Sequence, residues 1–236
     1  MPVAVYNPAE LCKRDGGGWV FSRWASSCAA AGITDRACDR MRLLKEFSSL
    51  PQMVEAEQIH GSSVAVVETA QNVLQPVKGC DALITNVPGL ILVIRSADCI
   101  PIFFADSSKR VVALAHAGWR GIASLLPLRM IAALHHTYKS CPDDVHVAIG
   151  PAIRACCYEV GPEFVQLFGP FVEQGNERCR CDLTGAAIAQ LQEGGIRKAH
   201  ITDCERCTAC DTQHWFSLRR EGSSTGRMSS FIMLRP

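Results

Sequence analysis

Short apolar runs rich in β-branched residues recur along this chain and limit its fold more than any other feature. They are bounded by Gly, Pro, Asp or Ser, and they read SSVAVVE, DALIT, LILVI, PIFFA, VVALAH, VHVAIG and, near the carboxyl terminus, SFIMLR. Val, Ile and Phe pack well on a pleated surface, so each run predicts a β-strand. The core of this protein is therefore expected to be built largely on β-sheet.

Three longer segments have the apolar spacing of a helix: ASLLPLRMIAALHHTY, GPEFVQLFGPF and LTGAAIAQLQEGG. In the first segment, Leu125, Leu128, Ile131 and Leu134 recur at steps of three, and Pro127 suits only the first helical turn. The third segment ends on a Gly pair, which is typical of a helix terminus. Near the amino terminus, GGGW and ASSCAAAGITDRACD indicate a loop and a short helix.

The order of these segments predicts the fold class. Strands outnumber helices and often follow one another directly, which favours an α+β fold of layered mixed sheets flanked by helices over a strictly alternating βαβ chain. The 236 residues, 48% of them hydrophobic, are enough for a substantial core, and no stretch rich in Pro, Gly or Ser divides them. We therefore expect residues 1–236 to form a single domain.

Charge and cysteine content narrow the partners and the compartment. The formal net charge is +1, from 24 Lys+Arg against 23 Asp+Glu, so we expect a small-molecule or protein partner and neither nucleic acid nor a membrane. The first residues, MPVAVYNPAELCKRDGGG, lack the pattern of an export signal, which favours a cytoplasmic protein. In that compartment the 13 cysteines are expected to be mostly buried free thiols or ligands.

Two histidines and one cysteine border the predicted strands. His60 lies in EQIHGSSVAVV, Cys99 in IRSADCIPI and His116 in LAHAGWRG. A side chain at a strand end is held rigidly yet reaches an open cleft, and a neighbouring glycine lets the backbone approach a metal or substrate. Two imidazoles and one thiolate would form a zinc site with an open fourth position, as catalytic zinc requires. Buried thiols and hydrogen-bonded core histidines are the alternative.

Five motifs occur in order between residues 39 and 236: QIHG, SADCIPIFF, HAGWRG, GPAIRACCYEVG and FSLRREGSSTGRM. Together they resemble the laccase-domain (polyphenol oxidase-like) family, which includes peptidoglycan editing factors and zinc-dependent purine nucleoside enzymes. The resemblance implies a single α+β domain with α/β/β/α layers and a zinc ion held by His60, Cys99 and His116. It also implies purine nucleoside phosphorylase activity on adenosine, inosine, guanosine and methylthioadenosine, with adenosine deaminase activity and a peptidoglycan-editing role.

These activities direct attention to further polar residues. Phosphorolysis needs a cation for phosphate and a proton donor or Lewis acid for the purine. Arg120, in GWRG, is a candidate to bind phosphate or a ribose oxygen, with Arg23 and Arg40 as further candidates; a surface position or a structural salt bridge is the alternative for each. For deamination, zinc would lower the pKa of a water, and Asp98 is a candidate proton shuttle or a turn hydrogen-bonding residue.

A second group of cysteines lies in CERCTACD, at steps of three. Its members are Cys204, Cys207 and Cys210. They suggest a second zinc site or a redox pair if Cys179 and Cys181 join them, and packing in a pocket wall if those residues stay apart. Cys156 and Cys157, in ACCYE, are expected to be buried thiols near the site.

Three other functions compete with the zinc enzyme. Cys99 could be a thiolate nucleophile with His116 as its base, in a cysteine hydrolase acting on amide or peptide-type substrates. Copper also binds Cys with two His, although the seven histidines are too few for a multicopper oxidase, so zinc is the preferred metal. The third alternative is a binding domain stabilised by a metal whose coordination is closed.

Overall fold

Two six-stranded mixed β-sheets, packed face to face, organise this protein. The computed structural model describes residues 10–14, 17–22, 28–38, 52–69, 75–175 and 178–236. Their strands are β1 (Leu11–Lys13), β2 (Trp19–Phe21), β3 (Ala29–Ile33), β4 (Gln52–Glu55), β5 (Val64–Val66), β6 (Ala82–Thr85), β7 (Leu90–Ser96), β8 (Ile100–Asp106), β9 (Val111–Ala117), β10 (Val145–Ile149), β11 (Glu159–Val160), β12 (Val172–Gln174), β13 (Cys179–Cys181), β14 (Ile201–Asp203) and β15 (Met228–Leu234). The helices are α1 (Trp119–Ala123), α2 (Leu126–Tyr138), α3 (Glu163–Phe168), α4 (Leu183–Glu193) and α5 (Leu218–Glu221).

The strand order is β1-β2-β3-β15-β7-β4 in the first sheet and β14-β10-β8-β9-β6-β5 in the second. A small third sheet has the order β11-β13-β12. Most neighbours are antiparallel, while β4 with β7, β5 with β6, and β10 with β14 are parallel. Strands β10 and β14 form a parallel pair at the edge of the second sheet, so the loops that follow them emerge at the same end.

The second sheet is buried on both faces. Along β8, Ile102 and Phe104 contact the helices, whereas Phe103 points between the sheets and meets Phe21 at a ring-centroid distance of 5.1 Å. Strands covered on both sides read as continuous apolar runs rather than as alternating ones. This explains why the runs in β6, β8 and β9 are so clear in the sequence.

Helices α1 to α4 cover the outer face of the second sheet. Helix α2 packs Leu126, Met130 and Leu134 into that layer, and Pro127 lies in its first turn as expected. The Asp182 side chain caps α4 by accepting a hydrogen bond from the Gly185 amide at 2.9 Å. The described residues thus contain one helical layer and two sheet layers of the expected arrangement.

The expected short helix near the amino terminus is wrong where the structure describes it. Residues Ala29–Ile33 form β3, a fully buried strand between β2 and β15. A Cβ atom on Gly32 would lie 2.5 Å from the Trp19 carbonyl oxygen and 2.8 Å from the Phe231 ring. Small residues are needed for this close packing, so tertiary contacts override the helix propensity of alanine.

The other main expectations are confirmed. Each of the quoted apolar runs contains a strand, and each of the three helical segments contains a helix. The chain is an α+β protein of mixed sheets in a single domain. Among the described residues, no helix is long and apolar enough to cross a membrane.

Candidate functional site

The second sheet brings Cys99 and His116 to the same end of neighbouring strands. Cys99 immediately precedes β8, His116 is the last residue but one of β9, and these strands pair antiparallel with Pro101 opposite His116. His60 joins them from the loop between β4 and β5, where its φ of 60° is left-handed. His60 therefore lies in a loop rather than at the end of a strand, and the three residues meet as predicted.

These three side chains form a compact donor set, here called the His/Cys site. Each offers one ligand atom, and the three atoms lie within 4.8 Å of one another. The His60 and His116 rings are nearly perpendicular, with centroids 5.0 Å apart. Tetrahedral zinc holds nitrogen and sulfur ligands about 3.3–3.8 Å from each other, given bonds of about 2.0–2.3 Å. The residues fit a zinc ion, with His60 on the exposed side and His116 buried.

Asp81 completes this site and was not predicted. Asp81 directly precedes β6 and is fully buried. Its carboxylate accepts a hydrogen bond from His116 Nδ1 at 3.0 Å. It also accepts hydrogen bonds from the backbone amides of His60 at 2.9 Å and Gly61 at 2.7 Å. A carboxylate behind a histidine fixes its tautomer and leaves Nε2 for a metal. The available signal was the acidic residue that begins the run DALIT.

Hydrogen bonding outweighs burial in setting the pKa values of Asp81, Cys99 and His116. Burial alone would raise the pKa of Asp81, but hydrogen bonds from His116 and from the Gly61 and His60 amides lower it. Burial would also raise the pKa of Cys99, yet His116 and His60 lower it to about 6. Burial would lower the pKa of His116, but Asp81 and Cys99 raise it to about 9. Between about pH 6 and pH 9, a Cys99 thiolate beside a His116 imidazolium is therefore favoured.

Two glycines of the HAGWRG motif allow its close packing against the site. A Cβ atom on Gly118 would lie 3.1 Å from Cys99 Sγ and 3.4 Å from His60 Cδ2. A Cβ atom on Gly121 would lie 2.9 Å from the carbonyl oxygen of Gly61, which follows His60. The motifs QIHG and HAGWRG therefore contact each other directly through residues that lack side chains.

A cavity of about 460 Å³ opens over the His/Cys site. This volume lies within the usual range for small-molecule sites. The residues that line it are Glu57, Gln58, His60, Arg95, Ser96, Ala97, Cys99, His116, Leu218, Thr225 and Arg227. Polar and charged groups thus surround the donor set on the side open to solvent.

Arg95 and Arg227 are the cations of this cavity wall, and the sequence reasoning missed both. Arg95 lies near the end of β7, where its backbone exchanges hydrogen bonds with the Gln58 side chain at 2.5 and 2.7 Å. Arg227 donates to the carbonyl oxygens of Thr225 and Gly226 at 2.8 and 3.0 Å. In the sequence, Arg95 directly follows the run LILVI, and Arg227 is the last arginine of the motif FSLRREGSSTGRM.

Of the three predicted arginines, the structure describes Arg120, which is not among the described residues that line the cavity. Arg120 is exposed on α1, and its guanidinium lies 4.5 Å from the Trp119 ring centroid. Arg23 and Arg40 lie outside the described residues. A substrate-binding role for each remains a prediction.

Asp98 joins several segments of the chain through hydrogen bonds and is not among the described residues that line the cavity. Its carboxylate accepts hydrogen bonds from Thr208 Oγ1 at 2.6 Å, Ser217 Oγ at 3.1 Å and the Arg219 amide at 2.7 Å. Its backbone oxygen accepts from the Ile153 amide at 3.0 Å. Both carboxylate oxygens are used by these contacts with distant segments, so Asp98 makes tertiary hydrogen bonds rather than the expected turn hydrogen bond, and the shuttle role finds no support.

The remaining cysteines are arranged differently from the expectation. All thirteen are free thiols, but only Cys80 and Cys181 are buried. A second donor cluster joins two cysteines of CERCTACD to the adjacent pair of ACCYE; its members are Cys156, Cys157, Cys207 and Cys210. Cys204, Cys179 and Cys181 are outside it, so the cysteines of RCRCD stay apart from those of CERCTACD. The expected burial of Cys156 is wrong, because this side chain is exposed.

A sheet sandwich with a Cys/His donor set beneath a polar cavity defines an α+β protein with a candidate metal site. Residues 31–235 match the family described as multi-copper polyphenol oxidoreductase laccase, and the chain belongs to this family. It is 36% identical to "Purine nucleoside phosphorylase YlmD" of Geobacillus stearothermophilus over 215 residues, covering 84% of this chain and 78% of that protein. It is 31% identical over 193 residues to "Adenosine deaminase RL5" of an unknown prokaryotic organism, covering 75% of this chain and 73% of that protein.

The fold is also similar to a solved structure. The crystal structure of YlmD from Geobacillus stearothermophilus superposes with a TM-score of 0.87 and 32% sequence identity. The match covers 97% of this chain and 100% of that one. The α+β arrangement described above is therefore the fold of this family.

Proposed function

We propose that this chain is a zinc-dependent purine nucleoside phosphorylase that also deaminates adenosine. The observation that carries the proposal is the His/Cys site at the base of a cavity that also presents two arginines. The names of the similar proteins, a purine nucleoside phosphorylase and an adenosine deaminase, support the same two reactions. The proposed substrates are adenosine, inosine, guanosine and methylthioadenosine, with phosphate as the second substrate of phosphorolysis.

In phosphorolysis, Arg95 and Arg227 bind phosphate from the cavity wall. Two guanidinium groups suit an anion because each donates charge-assisted hydrogen bonds in a planar fork. Phosphate then attacks the ribose carbon C1 as the bond to the purine breaks, and the purine leaves with a proton. Gln58, which also lines the cavity, positions Arg95 through the two hydrogen bonds between its side chain and the Arg95 backbone.

His60, Cys99 and His116 would hold the zinc ion, and Asp81 would orient His116. When bound, zinc supplies Lewis-acid chemistry that polarises a substrate oxygen or nitrogen and activates water. Glu57 is the carboxylate among the described residues that line the cavity. Hydrogen bonds from the Gly79 amide and Lys78 lower the pKa of Glu57, which suits it to accept hydrogen bonds from ribose hydroxyls.

Copper is the less suitable metal for this donor set. A multicopper oxidase needs many more histidine ligands than one such donor set supplies. All seven histidines lie in the described part of the chain, and only His60 and His116 belong to a donor cluster there. This supports zinc over copper.

Product analysis tests the proposal directly. The purified protein, with its metal content measured, is incubated with adenosine or inosine in the presence and absence of phosphate. We expect ribose 1-phosphate and free purine only with phosphate, and inosine from adenosine in both conditions. Neither product from a zinc-loaded protein, or equal turnover after complete removal of zinc, would contradict the proposal.

Replacing either arginine separates the two reactions. We expect Arg95→Ala and Arg227→Ala each to raise the KM for phosphate by about tenfold or more, since a charged hydrogen bond contributes about 1.5–3 kcal/mol. Deamination of adenosine should change by less than about threefold, because it uses no phosphate. Initial rates over a phosphate series measure this. Arg129→Ala, on the exposed part of α2, is the matched control, and equal losses in both reactions would reject the phosphate role.

A second candidate function is a cysteine hydrolase, which the sequence also allows. The specific observation in its favour is that His116 lies between Cys99 and Asp81, like the base of a nucleophile, base and carboxylate triad. In this function Cys99 attacks an amide carbonyl while the His116 imidazolium gives a proton to the leaving amine. A metal at the same atoms would block it.

The pH dependence of alkylation distinguishes the two candidates. In metal-free protein, the Cys99 pKa of about 6 means that the thiolate forms as pH rises through 6, so iodoacetamide labelling should rise between about pH 5 and pH 7 and then level off. Peptide mass spectrometry follows Cys99, with exposed Cys141 as the internal reference. The phosphorylase proposal expects zinc to suppress labelling and to restore nucleoside turnover. A hydrolase would be active without metal and inhibited by zinc.

We also propose that the protein functions in the cytoplasm. All thirteen cysteines are free, which fits a compartment where thiols remain reduced. A peptidoglycan-editing role remains a prediction of the family resemblance.

A further inference from the structure

A cluster of four cysteines lies apart from the His/Cys site and has no part in the proposed reactions. Its members, here called the tetracysteine cluster, are Cys156, Cys157, Cys207 and Cys210. All four sulfur atoms lie within 4.8 Å of one another, with Sγ of Cys210 at 3.6 Å from Cys156 and 3.3 Å from Cys157. Four thiolates around one zinc ion are about 3.8 Å apart, given Zn–S bonds of about 2.3 Å. We propose that the tetracysteine cluster binds a second, structural zinc ion.

The topology explains how two distant pairs of cysteines meet. Strands β10 and β14 are parallel neighbours, with Ile149 opposite Asp203. The loops that follow them therefore leave the same end of the sheet, one towards ACCYE and the other towards CERCTACD. An isolated bridge pairs Ala152 with Cys207, and the Ala152 oxygen accepts from the Thr208 amide at 3.0 Å. Backbone pairing alone is therefore enough to align the two loops.

An arginine fixes the two cysteine-bearing loops to each other. The Arg154 guanidinium donates two hydrogen bonds to the Asp203 carboxylate, both at 2.6 Å. Arg154 is two residues before Cys156, and Asp203 ends the strand that leads to Cys207. Turn hydrogen bonds from the Cys157 amide to the Arg154 oxygen and from the Asp211 amide to the Cys207 oxygen shape the two ligand segments. The sulfur atoms are consequently held together by the scaffold.

The donor chemistry selects zinc. A tetrahedral set of four thiolates suits zinc or iron, and the Cys-x-x-Cys spacing of Cys207 and Cys210 is usual for zinc ligands. An iron–sulfur cluster with several metal atoms would hold its cysteine sulfurs farther apart than this compact set. Zinc binding releases the thiol protons to solvent and changes no oxidation state. With four protein ligands the coordination is closed, so this ion would stabilise structure and would not activate water.

The position of the tetracysteine cluster indicates what the ion stabilises. Thr208, next to Cys207, donates to the Asp98 carboxylate at 2.6 Å, and the Ile153 amide donates to the Asp98 backbone oxygen at 3.0 Å. Asp98 precedes Cys99 of the His/Cys site. The two loops that the second zinc ion would join therefore both bind Asp98, in the turn that leads to Cys99 of the His/Cys site.

Zinc stoichiometry of the full chain tests this proposal. Protein purified under reducing conditions is examined by native mass spectrometry and elemental analysis. We expect two zinc ions per wild-type chain, one in Cys99→Ser, one in Cys207→Ser/Cys210→Ser and none in the triple variant. Cys141→Ser/Cys179→Ser is the matched control, because neither residue is in a donor cluster, and it should keep both ions.

The outcomes separate this proposal from the proposed function. If the wild type holds one zinc ion and Cys99→Ser loses it, the second zinc site is rejected and the proposed function stands. If the wild type holds one zinc ion and only Cys207→Ser/Cys210→Ser loses it, the second site stands and the zinc-dependent function is rejected. A chain lighter by two hydrogen atoms, with Cys207 and Cys210 in a disulfide, or a chain holding iron, would also overturn the second zinc site. If the double variant fails to fold, Cys99→Ser is titrated with a mercurial reagent. It must release one zinc as the four thiols react, and release of none rejects the proposal.

Discussion

The Cys99→Ser variant is expected to lose zinc from the His/Cys site, and kcat/KM for adenosine and inosine to fall by about a thousandfold or more, since a catalytic metal contributes several kcal/mol. Serine preserves the size of the side chain, but its hydroxyl is a poor zinc ligand compared with a thiolate whose pKa is lowered to about 6. This substitution is preferable to His116→Ala, which would leave the buried Asp81 carboxylate without its histidine. Zinc content and turnover with and without phosphate are the measurements.

Cys141→Ser is the matched control for this loss. Cys141 is exposed and belongs to neither donor cluster, so the control should keep wild-type zinc content and turnover. Thermal unfolding of both variants reports whether they fold. Zinc retained in Cys99→Ser at the His/Cys site, with turnover close to that of wild type, would contradict the assignment of Cys99 as a ligand.

The sequence predicts the interior of this fold better than its edges. Strands β7, β8 and β9 are fully or nearly fully buried, so their apolar runs are continuous and easily recognised. The strand of Ala29–Ile33 was missed because Ala and Gly carry no β signal, and its place is decided by the close approach of Trp19 and Phe231. Where packing requires small side chains, local propensity predicts the wrong element.

The site shows the same limit for a different reason. His60, Cys99 and His116 could be named because their residue types are metal ligands and a family resemblance joins them. Asp81 could not, since a carboxylate before a strand has many roles until the pairing of β6 with β9 places it beside His116. Arg95 was likewise hidden, because only the cavity distinguishes it from other surface arginines.

Asp98→Ala is expected to cause a large loss of stability. The Asp98 carboxylate accepts three hydrogen bonds, from Thr208, Ser217 and the Arg219 amide, and the residue is 9% exposed. Each donor left without a partner costs about 1–3 kcal/mol, so the free energy of unfolding should fall by about 3 kcal/mol or more. Asp98 also has a φ of 84°, which alanine tolerates less well than aspartate.

Urea unfolding at one fixed zinc concentration measures this change, because bound metal itself shifts the apparent stability. Asp143→Ala is the control: the Asp143 carboxylate is 65% exposed and 3.8 Å from Arg197, and exposed pairs contribute about 0–1 kcal/mol. Asp98→Asn keeps one carbonyl oxygen and tolerates a positive φ, so its loss should lie between the two alanine variants. If the free energy of unfolding of Asp98→Ala lies within about 1 kcal/mol of the wild-type value, the three hydrogen bonds do not hold these segments together. The loop that carries Thr208 and the helix that carries Arg219 would then be positioned without the Asp98 side chain, and the cavity wall formed by Leu218 would not depend on the turn before Cys99.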